Sequence, residues 1–115
     1  MKSLIFALAT LLPIWDEADE VRKLVETRFP KGEMEVRLWD ETRVDILTPE
    51  YAIEVDWASK WAEGIGQALY YSAVTGRKAG LVLLVRDKDE FRYVYRGQTV
   101  AAKHGVKLWV VRVAE

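Results

Sequence analysis

Residues 43–72 read RVDILTPEYAIEVDWASKWAEGIGQALYYS, and the order of patterns inside them decides the fold. Two strand-like runs, residues 42–47 and 51–57, flank the turn Thr48-Pro49-Glu50. Residues 58–75 then take up a helical period that buries Trp61, Ile65, Ala68, Leu69 and Ser72 and ends at Gly76, a natural left-handed cap. A connection as short as Thr48-Pro49-Glu50 makes the two strands antiparallel neighbours, since parallel neighbours need a crossover of about a dozen residues. The same stretch puts acids at Asp45, Glu54 and Asp56, where a half-buried strand pair normally carries valine or isoleucine.

Working outward, residues 16–29 place Ala18, Val21, Leu24, Val25 and Phe29 at three- and four-residue intervals, an amphipathic helix that Asp16 or Asp19 caps. Pro30-Lys31-Gly32 ends it, and residues 33–39 alternate Met34, Val36 and Leu38 as a strand before the turn at Asp40-Glu41. Beyond the central stretch, residues 81–85 are LVLLV, continuously apolar like a central strand covered on both faces. Residues 87–104 form a third helix closed by Gly105, and residues 107–113 form the last strand. The expected order is αβββαβαβ: one α/β domain with a mixed central sheet, in which an antiparallel meander joins a crossover unit.

With 115 residues, half hydrophobic and 30% charged, the chain holds one domain and one site. The 17 basic against 18 acidic residues leave a net charge of -1, so any nucleic-acid contact must come from local patches. The absence of cysteine excludes disulfides, thiol catalysis, zinc-thiolate sites and iron–sulfur clusters. Residues 1–14, MKSLIFALATLLPI, carry an apolar run too short to span a bilayer, which takes about 20 residues. Two readings stand: a signal peptide, which would send the chain out of the cytoplasm, or a hydrophobic first segment packed on a cytoplasmic domain. The domain proper is residues 15–115.

Side chains alternate across a strand, so Glu54 and Asp56 share a face, with Asp45 near the level of Glu54 on the neighbouring strand. Three clustered carboxylates repel one another unless a hard divalent cation lies among them, which makes Mg²⁺ (or Mn²⁺) the implied cofactor. On the next helix Lys60, Gly64, Gln67 and Tyr71 fall on one stripe, away from Trp61, Ile65 and Leu69. Its first turn brings Lys60 within reach of a phosphate, and Gln67 and Tyr71 add groups suited to a nucleic-acid backbone or base.

These residues resemble the PD-(D/E)XK nuclease superfamily of restriction enzymes, Holliday-junction resolvases and RecB-like exonucleases, over roughly residues 18–113. The resemblance implies a restriction-endonuclease-like αβββαβ core with an acid on the second strand and an E-x-K element on the third, where Asp45 and Glu54-Val55-Asp56 stand. Gln67-Ala68-Leu69-Tyr70-Tyr71 is similar to the Q-x-x-x-Y helix motif of the RecB-like branch. By that resemblance Asp45 and Glu54 bind metal, Asp56 is a third ligand or general base, and Gln67 and Tyr71 bind substrate or organise the site. Two departures stand out: Val44 precedes Asp45 where the family has proline, and Asp56 occupies the usual lysine position. Lys60 stands where some members of the superfamily carry that lysine on the following helix. Either Glu17 or Glu20 would be the fourth carboxylate that the first helix often supplies.

The expected activity is therefore metal-dependent hydrolysis of phosphodiester bonds in DNA, with Asp45, Glu54, Asp56 and Lys60 as the catalytic set. The alternative is an inactive module of the same fold that binds nucleic acid or a protein partner. A homodimer would suit an enzyme that must meet two strands, and no membrane span is expected. Trp57 and Trp61 read as core, and His104 as a residue at a helix end. Arg77, Lys78, Arg86, Lys88, Arg92 and Arg96 read equally well as a phosphate-tracking patch or as scattered surface charge.

Overall fold

The computed structural model describes residues 17–113, so the signal-peptide reading of residues 1–14 and the capping role of Asp16 lie outside the described residues. Helix α1 (Glu17–Thr27) leads into β1 (Glu33–Arg37), β2 (Arg43–Leu47) and β3 (Tyr51–Trp57). A single 3-10 turn (Ala58–Lys60) then opens α2 (Trp61–Thr75), followed by β4 (Lys78–Val85), a second 3-10 turn (Lys88–Glu90), α3 (Phe91–Lys103) and β5 (Lys107–Arg112). The five strands form one sheet in chain order, antiparallel from β1 to β3 and parallel from β3 to β5. The α/β class and the expected element order are both present among the described residues. No helix there is long and apolar enough to cross a membrane.

Strand β4 is the spine of the core. Its Leu81, Leu83 and Val85 pack against α2 and α3 on one face, while Val82 and Leu84 pack against Val21 and Leu24 of α1 on the other. The two-sided burial explains the unbroken LVLLV run, because neither face can carry a polar residue without stranding it. Pairing with β3 starts at Tyr51↔Lys78, which lengthens β4 by three residues at its N-terminal end beyond the apolar run. Gly76 and Gly105 both take positive φ, 73° and 70°, and so end the two later helices as their positions require. FRYVY is helical: its alternation is compatible with a strand, but Val94 and Tyr93 meet the α2–α3 core at helical spacing with Ala101.

Helix α2 is rotated relative to the sequence expectation. Its buried residues are Gly64, Ile65, Ala68 and Tyr71, whereas Leu69 is 37% exposed. Close approach explains the rotation: a Cβ on Gly64 would stand 2.8 Å from Leu81 Cδ1, so this helix presents its smallest residues to the sheet and turns Leu69 outward. The supposed outer stripe of Lys60, Gly64, Gln67 and Tyr71 therefore divides, with Gly64 and Tyr71 inside and Lys60 and Gln67 exposed. Strand β1 is also looser than its alternation suggests. Met34 is 45% exposed because β1 is the outer strand of the sheet.

Candidate functional site

The sheet loosens where the acids lie. Strands β2 and β3 pair at Leu47↔Ala52 and Ile46↔Ile53, and one step further the Val55 N–H donates to Oδ2 of Asp45 at 2.8 Å. A side chain thus takes the place of a ladder carbonyl. Opposite Asp45 on β1, Glu35 adopts φ 50°, a left-handed conformation that is uncommon for a residue with a Cβ. The alternation of β2 is interrupted at the same point: Ile46 packs with α1, whereas Val44 belongs to a small cluster with Ala52 and Tyr71. The local distortion turns the Asp45 carboxylate toward β3.

Glu54 and Asp56 are only 6% and 7% exposed. Burial pushes the Glu54 carboxyl far up, and the Asp45 charge, a hydrogen bond to Asp45 and the Asp56 charge push it further. Asp45 is itself raised by burial, partly offset by the Val55 N–H and by its hydrogen bond with Glu54. The two carboxyls are coupled, and burial together with the neighbouring Asp45 charge favours the protonated form of Glu54. Asp56 is pushed up to about 6, first by burial; Lys60 pulls it back down, and Asp45 and Glu63 add repulsion.

Of Glu17 and Glu20 on the first helix, Glu17 is the one that feels the strand acids. Burial raises it to about 7, and the negative charges of Asp56 and Asp45 add to the effect; Lys60 lowers it and a hydrogen bond to Asp56 raises it. Glu20 is buried as well but answers to Lys23, whose Nζ is 3.2 Å from its Oε1. Glu17 and Glu20 lie one turn apart on the same face, so position along the helix separates them: Glu20 lies with Leu24, Val111 and Arg112, while Glu17 starts the helix, within reach of the Asp56 and Asp45 charges.

Helix α2 closes the site from one side. Oδ2 of Asp56 would be 3.5 Å from a Cβ on Gly64, so a glycine there leaves the carboxylate room. Tyr71 is buried; burial raises its hydroxyl to about 12, with the charges of Glu54 and Asp45 next in effect. Lys60 is exposed on the 3-10 turn directly after β3, and its charge is felt by both Asp56 and Glu17. Gln67 is exposed and joins no hydrogen bond with the carboxylates. The structure thus brings together Asp45, Glu54, Asp56, Lys60 and Tyr71, adds Glu17 and Glu63, and leaves Gln67 outside.

Among the described residues, no three His, Cys, Asp or Glu side chains are already spaced as a finished metal-ligand set. The carboxyls are linked instead through burial and mutual charge. The two facts refer to different distances: ligand oxygens must meet within about 2.5 Å of one point, whereas charges act over roughly 10 Å. Charge proximity and donor chemistry therefore suit a hard cation, while the final ligand geometry is not preset.

Several surface signals resolve into structural roles. Arg77 donates from a guanidinium nitrogen to the Thr48 carbonyl at 2.6 Å, and Lys78 pairs with Glu50 at 3.4 Å. Arg86 lies over the Trp57 ring at 4.3 Å, and Trp61 packs into the α2–α3 core. His104 ends α3, as its position predicts. A cavity of about 460 Å³ lined by Phe29, Tyr51 and Trp109 opens at the far end of α1, away from the carboxylates. No protein-family model matches the chain, and no curated protein or solved structure was found to match it.

Proposed function

We propose that this protein is a Mg²⁺- or Mn²⁺-dependent nuclease of the PD-(D/E)XK type, with a restriction-endonuclease-like core, that hydrolyses phosphodiester bonds in DNA. One observation carries the reading: burial raises the proton affinity of Asp45, Glu54, Asp56 and Glu17, from two strands and a helix, and each feels the charge or hydrogen bond of at least one of the others, beside Lys60. Asp56 and Lys60 lie at the C-terminal end of β3, which is parallel to β4, the end at which open α/β sheets bind ligands. Four carboxylates whose charges reach one another are costly to keep ionised without a counter-charge.

The donor set fits the cation. It is all oxygen, and its protonated members become ionised when a divalent ion competes for them. When bound, the ion supplies charge neutralisation for the phosphate and acidifies water. Asp45 is oriented for this by the Val55 N–H, which fixes one oxygen and leaves the other for a ligand. Asp56, raised to about 6, is matched to accept a proton from an attacking water near neutral pH. Lys60 contributes positive charge toward the phosphate while keeping Asp56 ionised, the part expected of the lysine that Asp56 displaces.

The test is cleavage of plasmid, linear, single-stranded and branched DNA in Mg²⁺ or Mn²⁺, beside an Asp45→Ala control and an EDTA control. Metal-dependent cleavage that the control lacks supports the reading. Cleavage absent from every substrate, or equal in the control, would leave the inactive binding module.

A further inference from the structure

The β1–β2 hairpin ends in a turn whose side chains tie it to α2. Its turn is rigid. Leu38 N–H donates to the Thr42 carbonyl at 2.8 Å, Glu41 N–H donates to the Leu38 carbonyl at 2.9 Å, and Glu41 takes φ 72°. Asp40 accepts from Thr42 N–H and Oγ1 at 3.1 and 2.7 Å through one oxygen, and through the other from the hydroxyl of Tyr70 on α2. Tyr70 is next to Tyr71, whose hydroxyl feels Glu54, Asp45 and Asp40 together, so the turn is tied to the wall of the acidic site. On this pinned turn Trp39 is 84% exposed, the most exposed large apolar side chain among the described residues.

Two residues inward on each strand, Arg37 and Arg43 face one another as register partners. Both are exposed, and neither is in an ion pair among the described residues. Like charges directly opposite across a ladder are destabilising, and a bridging anion would relieve them. From the open end of the sheet inward, the hairpin thus offers an aromatic ring, then two guanidinium groups, then Asp45.

We infer that this hairpin grips a DNA strand that carries an unpaired base next to the scissile phosphate, with Trp39 stacking on the base and Arg37 and Arg43 holding the adjoining phosphate. A rigidly presented indole has no use for a base inside a closed duplex, whose faces are already stacked. The favoured substrate is therefore a single-stranded end, a flap or a fork. The inference rests on the nuclease reading for what happens to the strand, but recognition itself is read without cleavage.

The experiment is fluorescence anisotropy with the full chain carrying Asp45→Asn, using labelled single-stranded, forked and blunt duplex oligonucleotides over a salt series. Single-stranded and forked DNA should bind more tightly than blunt duplex. Trp39→Ala should weaken them at least about five-fold, Trp39→Phe should retain most of the affinity, and duplex binding should hardly change. Arg37→Gln with Arg43→Gln should weaken all three DNAs and lower the salt slope by about 2. Circular dichroism checks that each variant folds. Equal binding of paired and unpaired DNA, or a Trp39→Ala variant that binds like its parent, overturns the inference. If the unmodified chain cleaves nothing in Mg²⁺ yet the Trp39-dependent preference is present, the nuclease reading falls and this inference stands. If it cleaves, and Trp39→Ala binds and cleaves every DNA as the parent does, the inference falls and the nuclease reading stands.

Discussion

The Asp45 carboxylate accepts the Val55 backbone N–H at 2.8 Å, and that contact joins the site to the sheet. The same acid bridges a gap in the β2–β3 ladder and repels Glu54. Asparagine retains an acceptor for the N–H and removes the repulsion; alanine removes both. In EDTA, Asp45→Asn should be as stable as the parent or more so, while Asp45→Ala should lose about 1–3 kcal/mol from the unsatisfied N–H, reduced by the relieved repulsion. Urea unfolding measures this. Both variants should lose cleavage by at least about 100-fold and lose the stabilisation that Mg²⁺ confers on the parent.

The pH dependence of stability should run opposite to ordinary acid unfolding. Glu17 and Asp56 have folded-state values of about 7 and 6, above their ordinary 4.5 and 3.8, so between those limits the folded protein binds more protons than the unfolded chain. Stability then falls as pH rises from about 4.5 to about 7 and goes on falling above it, because the Glu54 carboxyl is raised to about 10. Asp40 is lowered by its Tyr70 and Thr42 hydrogen bonds and acts below this window, where its contribution is lost as pH falls. The urea midpoint in EDTA should therefore be higher at pH 5 than at pH 8. Saturating Mg²⁺ should flatten or reverse the slope, because the ion favours the ionised acids. A midpoint in EDTA that climbs toward pH 8 would contradict the carboxylate cluster.

The role proposed for Lys60 holds only if its charge governs Asp56. Lys60→Gln removes the effect that lowers Asp56, so the acid limb of the pH–rate profile should move to higher pH. The rate on the plateau should fall by roughly 100-fold, in line with the loss of a positioned charge at a phosphate. An unshifted acid limb with a full plateau rate would remove Lys60 from the site.

Two glycines on α2 should respond in opposite directions. At Gly64 an added methyl meets Leu81 Cδ1 at 2.8 Å, whereas at Gly66 nothing lies within 4 Å. Gly64→Ala should cost about 1–3 kcal/mol in overpacking, less about 1 kcal/mol of helix propensity. Gly66→Ala should gain roughly 0.5–1 kcal/mol. Thermal unfolding of the pair checks it.

Much of the fold was legible because local patterns and global packing agree. The period of residues 17–27, the Pro30 and Gly76 stops and the two-sided run at Leu81–Val85 each have one physical solution, and the short turns forced a meander. Helix α2 was harder to read. Periodicity identifies a face but weights large residues, so Leu69 outscored Gly64, while close packing on Leu81 selected the small one. The site divides in the same way. Asp45, Glu54 and Asp56 stood out because charges in strand-like sequence conflict with burial, and Lys60 because it follows them at once on the next helix. Glu17 and Glu20 did not differ in sequence, and only the position of the α1 start within reach of the Asp56 and Asp45 charges separates them.

The sequence by itself determined which elements form and in what order, since capping, turn chemistry and hydrophobic period act over a few residues. Tertiary structure alone decided what lies opposite what: the Val55 N–H on Asp45, the Tyr70 hydroxyl on Asp40 thirty residues away, and Arg37 facing Arg43. Those relationships come from register and packing, which depend on the whole sheet closing at once and leave no trace in local spacing.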